Sequence, residues 1–87
     1  MSTADRIRER LAALEPETYT LEDESAQHRG HAGAAGGGGH FRLTVVSPKF
    51  RKLSTLASHR LVYENMGELM QREIHALSIT ALTPEEL

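Results

Sequence analysis

Apolar residues at the start of the chain recur in the pattern of a short helix. Ile7, Leu11 and Leu14 follow one another at spacings of four and three, which places them on one side of a helix. Ser2 can cap this helix, and Pro16 ends it because proline has no backbone N–H to continue the hydrogen-bond ladder. The pattern predicts one amphipathic helix.

Alternation of apolar and polar residues predicts three strands in the rest of the chain. Residues 18–22 and 40–47 alternate in this way, and the acidic pair Asp23-Glu24 forms a turn after the first of them. We expect these two strands to pair antiparallel across the segment between them. The third strand covers residues 75–81, and its predicted apolar face consists of His75, Leu77, Ile79 and Ala81.

The longest apolar face lies between the second and third strands. Ser54 can cap a helix in which apolar positions recur at spacings of three and four: His59, Val62, Tyr63, Met66, Leu69 and Met70. We predict one core helix of about five turns, with His59 packed in the core or at an interface. A capped helical turn is expected at Thr83-Pro84-Glu85-Glu86.

These elements predict an α+β fold in the order α-β-β-α-β-α. Three strands with one apolar face are not stable alone in water, so the helices should cover that face in a two-layer sandwich. The third strand should run parallel to one of the first two, because the long helix provides the crossover, which makes the three-stranded sheet mixed. A chain of 87 residues is too short to form two separate hydrophobic cores, so we expect residues 1–87 to form one domain.

A glycine-rich stretch separates the first two strands. Residues 25–39 contain six glycines and no large apolar side chain, so we expect a flexible loop. Loops of this length are uncommon in small domains unless they have a role.

The absence of cysteine excludes several kinds of chemistry. With no cysteine and five histidines, the chain has no disulfide, no thiolate nucleophile, no cysteine-based zinc site and no iron-sulfur cluster of its own. No nucleophile with a neighbouring base, pair of acids or phosphate-binding Gly-Lys motif can be identified either, so we expect no enzymatic activity. Any site must use histidine, oxygen ligands or a partner.

The chain shows no targeting pattern. Met1-Ser2-Thr3-Ala4-Asp5-Arg6 is polar where a signal peptide needs an apolar core, and no run of about 18 apolar residues could span a membrane. We therefore expect a cytoplasmic protein.

A basic segment supports an alternative, nucleic-acid-binding function. The chain has a net charge of −2, yet residues 40–60 contain no acid and five cations: Arg42, Lys49, Arg51, Lys52 and Arg60. The turn at residues 48–54 lacks a Gly-x-x-Gly loop of the kind that can hold a nucleic-acid backbone. Two phenylalanines and two tyrosines, mostly at predicted core positions, leave little for base stacking. We therefore expect any DNA binding to be weak and not to be the main function of the protein.

Several short motifs occur in the order that is characteristic of one family. They are Asp23-Glu24-Ser25 with His28 three positions later, His40-Phe41, Val45-Val46-Ser47, Phe50, His59-Arg60-Leu61-Val62-Tyr63 and Ile74-His75-Ala76-Leu77. In these motifs the chain resembles the BolA family, of the type with a histidine in its loop. The resemblance implies a type II KH-like fold. Lys52 stands where many members have glycine.

The resemblance also implies a function. BolA proteins pair with monothiol glutaredoxins as heterodimers that hold a bridging [2Fe-2S] cluster, in iron homeostasis and cluster trafficking, and the family has been linked to transcription control and stress. By the resemblance, one cluster ligand is His75 and the second is a loop histidine, with His28 first, His31 second and His40 third among the candidates. The two thiolates would come from the glutaredoxin and glutathione. The isolated chain is then expected to be a monomer without a cluster.

Overall fold

The computed structural model describes residues 1–25 and 39–87. Its helices and strands are α1 (Thr3–Leu11), β1 (Thr18–Asp23), β2 (Gly39–Val46), α2 (Thr55–Met66), α3 (Leu69–Arg72) and β3 (Ile74–Leu82). Within these two ranges, short 3₁₀ turns lie at Ala12–Leu14, Pro48–Phe50 and Pro84–Glu86. The predicted order of elements is confirmed, with a 3₁₀ turn as the last helical element.

Helix α1 begins with a capping box. The Ser2 hydroxyl accepts a hydrogen bond from the Asp5 N–H (3.1 Å), and the Asp5 carboxylate accepts one from the Ser2 N–H (3.2 Å). These bonds hold the pKa of Asp5 below its usual value. The helix ends at Leu11, well before Pro16, and the chain reverses at Glu15, whose φ is 47°.

The three strands form one mixed sheet with β2 in the centre. Strand β1 pairs antiparallel to β2, with Leu21 opposite Leu43, and β3 pairs parallel to β2, with Ile79 opposite Leu43. Both predicted pairings are confirmed, and the structure adds the strand order, which the periodicity left open.

The helices cover one face of this sheet. Ile7, Leu11 and Leu14 are fully buried, and they belong to one core with the inward residues of the sheet and with Val62 and Met66 of α2. The opposite face, here called the open face, carries polar side chains, among them Arg42 between Glu22 and Ser78 in the neighbouring strands. The predicted two-layer arrangement is therefore present.

The predicted five-turn helix is wrong in its length. Helix α2 ends at Met66, because Gly67 adopts a φ of 55°, outside helical backbone geometry; its N–H makes the last helical hydrogen bond, to the Tyr63 carbonyl (3.1 Å). Helix α3 then forms a separate single turn, and its Leu69 is buried in the core. Tyr63, predicted in the core, is exposed, and His59 is partly buried.

The start of β3 contains a bulge that changes the predicted position of His75. Gly39 pairs with Ile74 and His40 pairs with Ala76, so His75 is an extra residue without a partner in β2. Ile74 and Leu77 are buried, while His75 and Ala76 between them are both exposed. The prediction that His75 shares the apolar face of Leu77 is therefore wrong, since the extra residue breaks the alternation.

Candidate metal centre

Two histidines meet where β2 and β3 begin. The ring centroids of His40 and His75 lie 4.9 Å apart, with 39° between the ring planes. Parallel strands begin at the same edge of a sheet, so the topology places both residues there. Phe41 points into the core, which turns its neighbour His40 to the open face, and the bulge turns His75 to the same side.

The backbone of His40 is held on both sides by the end of β1. The His40 N–H donates to the Ser25 hydroxyl (3.0 Å), and the His40 carbonyl accepts from the Glu24 N–H (2.7 Å). Ser25 is itself fixed, because its N–H donates to a carboxylate oxygen of Asp23 (2.9 Å). The Asp23-Glu24-Ser25 motif thus sets the position from which the His40 side chain leaves the backbone.

Glu73 anchors the other side of the pair. Its carbonyl accepts the Gly39 N–H (2.9 Å), which joins the residue before His40 to the residue two before His75. Its carboxylate accepts hydrogen bonds from Arg6 (2.6 Å) and Thr3 (3.0 Å) on α1. The bond from Arg6 holds the pKa of Glu73 below its usual value. Helix α1, Gly39 and the start of β3 are therefore tied together at one point.

The separation of the two ring centroids is compatible with both imidazoles binding one metal ion. Two imidazoles bound to a tetrahedral metal at about 2.0–2.1 Å through nitrogen have ring centres roughly 5 Å apart. Within residues 1–25 and 39–87, no group of three or more histidines and carboxylates is placed to hold a metal. A metal ion held by His40 and His75 would therefore need its other ligands from outside this part of the chain.

The structure bears on one of the three histidines that the sequence offered as the second ligand. His28 and His31 fall within residues 26–38, outside the described residues, whereas His40, ranked third from the sequence, is the histidine beside His75. The sequence does contain a signal for His40, since it begins one strand of a possible parallel pair and His75 begins the other. That signal could be used only with the pairing of these two strands known.

The five basic residues of the 40–60 segment do not form one free patch. Three of them are in ion pairs: Arg42 with Glu24 (3.3 Å), Lys49 with Glu15 (3.5 Å) and Arg51 with Glu85 (2.6 Å). The two-pronged contact raises the pKa of Arg51 and lowers that of Glu85. Arg42 lies on the open face near the start of β2, whereas residues 48–52 follow its far end. Among these five, Lys52 and Arg60 have no ion pair within the described part of the chain.

The longest helix in residues 1–25 and 39–87 is α2, with 12 residues. Within those ranges, no helix has the length and apolar character needed to cross a membrane.

Comparisons with known proteins identify the family to which this fold belongs. Residues 11–86 match the family model described as BolA-like protein. The chain is 46% identical over 81 residues to BolA-like protein 1 of Mus musculus, covering 92% of this chain and 57% of that protein. It is 33% identical over 87 residues to the DNA-binding transcriptional regulator BolA of Escherichia coli (strain K12), covering 99% and 80%.

A solved structure agrees with these sequence matches. The BolA domain of SufE1 from Arabidopsis thaliana superposes with a TM-score of 0.87 at 41% identity, covering 100% of this chain and 98% of that domain. Several curated relatives are longer proteins, of which the chain spans between 24% and 57%. The family match and these relatives lead to one conclusion: the chain belongs to the BolA-like protein family.

Proposed function

We propose that this protein pairs with a monothiol glutaredoxin and provides two imidazole ligands to a [2Fe-2S] cluster, with the other ligands supplied by the glutaredoxin and glutathione. The observation that carries the proposal is the separation of 4.9 Å between the rings of His40 and His75 at an exposed edge of the sheet. Two histidines can replace two cysteines on one iron of such a cluster, as in Rieske centres.

The residues around the pair support a ligand role. Ser25 and Glu24 fix the backbone of His40, so little conformational freedom of that backbone remains to be lost when a metal binds. His75 is exposed, so a partner's thiolates can approach the same iron. The chain has no cysteine of its own, which agrees with a cluster held jointly by two proteins.

The proposed role is iron-sulfur cluster trafficking or iron homeostasis, without catalysis by this chain. The cluster would be its cargo, held at the His40–His75 pair, and the cytoplasm is the proposed location. His40 is proposed as the second ligand beside His75, and His28 and His31 remain the alternatives that the experiment must separate.

Visible circular dichroism tests this proposal. The chain is mixed with a cluster-loaded monothiol glutaredoxin and glutathione, and the spectrum of the mixture is compared with that of the glutaredoxin alone. We expect a heterodimer with a new spectrum, which His75→Ala and His40→Ala abolish or strongly weaken. His28→Ala and His31→Ala should retain it, and His59→Ala on α2 is the matched control that should also retain it.

Two results would contradict the proposal in different ways. If the unaltered chain forms no heterodimer and changes no spectrum, the shared cluster is wrong. If His28→Ala or His31→Ala abolishes the new spectrum while His40→Ala leaves it intact, the second ligand is wrong but the shared cluster stands.

The E. coli relative's description as a DNA-binding transcriptional regulator favours a second candidate function. In this chain three of the five basic residues form ion pairs with acids within 4 Å, which leaves Lys52 and Arg60 as the cations of that segment without an ion pair in the described residues. We therefore propose that DNA binding is weak and falls steeply with salt. Sequence-specific nanomolar binding to duplex DNA in a fluorescence anisotropy titration at physiological salt would make DNA binding the leading candidate function, ahead of cluster sharing.

A further inference from the structure

Helix α1 and helix α3 enclose a polar hollow between them. It has a volume of about 400 Å³, within the range of roughly 300–1,000 Å³ that is typical of small-molecule pockets. Leu69, a buried residue of α3, forms part of its wall. Six charged residues line it, three arginines and three glutamates: Arg6, Glu9, Arg10, Glu68, Arg72 and Glu73. We call this cavity the α1–α3 hollow.

Four of these six charged residues form two ion pairs. Arg6 on α1 donates to the carboxylate of Glu73 (2.6 Å), which also accepts a hydrogen bond from Thr3 (3.0 Å). Arg72 lies 3.9 Å from a carboxylate oxygen of Glu68, one helical turn before it. Each pair joins one positive and one negative charge, so together they leave no net charge in the α1–α3 hollow.

The other two charged residues, Glu9 and Arg10, have side chains without an ion pair in residues 1–25 and 39–87. They are consecutive in α1, and consecutive side chains of a helix do not face each other, so the two do not pair with one another. Arg10 is also partly buried, and a charged group that loses hydration gains from a partner of opposite charge. The α1–α3 hollow therefore offers one unpaired cation and one unpaired anion.

The glycine between α2 and α3 provides the space in which the Arg10 guanidinium lies. Its Nη1 atom is 3.1 Å from the position that a Cβ on Gly67 would occupy. Gly67 has a φ of 55°, a conformation that residues with a side chain rarely adopt. The guanidinium thus lies against the backbone at the end of α2, where it is placed before any ligand arrives, and a group placed in advance loses less conformational entropy on binding.

We propose that the α1–α3 hollow binds a small zwitterion of the α-amino-acid class, with the carboxylate of the ligand on Arg10 and its ammonium group on Glu9. The fork of a guanidinium matches a carboxylate through two parallel hydrogen bonds. A ligand with only an anionic group would leave Glu9 unpaired, and a ligand with only a cationic group would leave Arg10 unpaired. A ligand that carries both charges leaves neither side chain without a partner.

Titration of the full chain with L-leucine, followed by two-dimensional amide NMR spectra, tests this proposal. Leucine carries both charges and an apolar side chain that can contact Leu69 at the wall of the α1–α3 hollow. We expect saturable shifts confined to the amides of α1 and of residues 67–73. Two matched analogues each lack one charge: isocaproate has no ammonium group and isopentylamine has no carboxylate. Each should bind about tenfold or more weakly than leucine, since each gives up one charge-assisted contact.

Variants of the two unpaired residues test their separate roles. Arg10→Met and Glu9→Gln should each weaken leucine binding by about tenfold or more. Methionine and glutamine are good helix formers, and far-ultraviolet circular dichroism verifies that each variant retains its helices. Arg8→Met and Glu22→Gln are the matched controls, because each removes a charge of the same sign at a position that does not line the hollow. Both controls should bind leucine as the unaltered chain does.

Three results would contradict the inference. If millimolar leucine shifts no amide of α1 or of residues 67–73, the α1–α3 hollow is not an amino-acid site. If isocaproate or inorganic phosphate binds as tightly as leucine, the hollow is an anion site and the zwitterion is wrong. If Arg10→Met and Glu9→Gln bind leucine as the unaltered chain does, the ligand lies elsewhere. Neither a glutaredoxin nor a cluster enters these titrations, so their outcome is independent of the proposed function.

Discussion

His40 and His75 lie with their ring centroids 4.9 Å apart, although 34 residues lie between them in the sequence. One begins the central strand and the other begins an edge strand, and the crossover through α2 and α3 brings them together. Neither belongs to the apolar core, so the pair can be altered chemically with little effect on packing.

We predict that His75→Cys lowers the reduction potential of the shared cluster. Histidine ligands raise the potential of a [2Fe-2S] centre relative to thiolates, which add negative charge to it. A redox titration of the heterodimer, followed by visible absorption, measures the change. His59→Cys is the control and should leave the potential unchanged, whereas an equal potential for the His75→Cys complex would mean that this residue does not bind the iron.

Gly39→Ala should destabilise the fold and disturb the histidine pair. A Cβ at this position would overlap the ring of Phe41, which is buried, and would crowd the hydroxyl of Ser25 at 3.2 Å. Overpacking of this kind costs about 1–3 kcal/mol. Urea unfolding should show this loss, and cluster binding should weaken too because Ser25 holds the backbone of His40. An unchanged free energy of unfolding together with unchanged cluster binding would show that Phe41 moves aside freely.

Ser47→Ala should destabilise the fold without affecting the site. Ser47 is fully buried, and its hydroxyl donates to the Leu14 carbonyl and accepts from the Lys49 N–H (3.1 Å). Removing the hydroxyl leaves both groups without this partner, which costs about 1–3 kcal/mol. Urea unfolding tests this, with the exposed Ser78→Ala as the matched control. Equal midpoints for the two variants would contradict the prediction.

The link between α1 and β3 should weaken in acid. The pKa of Glu73 is lowered in the folded protein, first by its hydrogen bond from Arg6, from an ordinary value of 4.5. A carboxylate with a lowered folded pKa stabilises the fold fully above its unfolded pKa, and this contribution is lost as the pH falls through the folded value.

Arg6→Met should therefore be less stable than the unaltered chain near neutral pH, and the difference should shrink as the pH is lowered from roughly 6 to roughly 3. Thermal unfolding across this range measures it. Arg60→Met, whose arginine has no ion pair in the described residues, is the control, and its difference from the unaltered chain should not vary with pH. A constant difference for Arg6→Met would indicate that the pair with Glu73 contributes nothing.

Much of the fold follows from local pattern. The spacing of Ile7, Leu11 and Leu14 is enough to predict α1 and the 3₁₀ turn that follows it, because their burial obeys the helical period. Alternation likewise predicts the strands, and the helix between the second and third strands provides the crossover that a parallel pair needs. What these patterns cannot show is which neighbour, since that depends on contacts between distant segments.

The two errors in the predicted fold, the length of the core helix and the face of His75, have local physical causes. Met66 and Leu69 continue the spacing of the helix across Gly67, so the apolar pattern conceals a backbone that leaves helical geometry at the glycine. The bulge at His75 is similarly invisible, because alternation of side chains assumes an unbroken ladder. The prediction of the site was affected most by the hidden bulge, since the geometry of the two histidines depends on the bulge and on the pairing of β2 with β3.

The parallel pairing of β2 with β3 also couples the histidine pair to the integrity of the whole crossover. Because the two imidazoles come from separate strands, local opening of the edge strand would part them and release whatever they hold. By mass action, an occupied pair must in turn resist that opening. Amide hydrogen exchange in β3 would then slow on cluster binding. Occupancy of the site would therefore depend on whether β3 is paired with β2 as well as on the presence of iron.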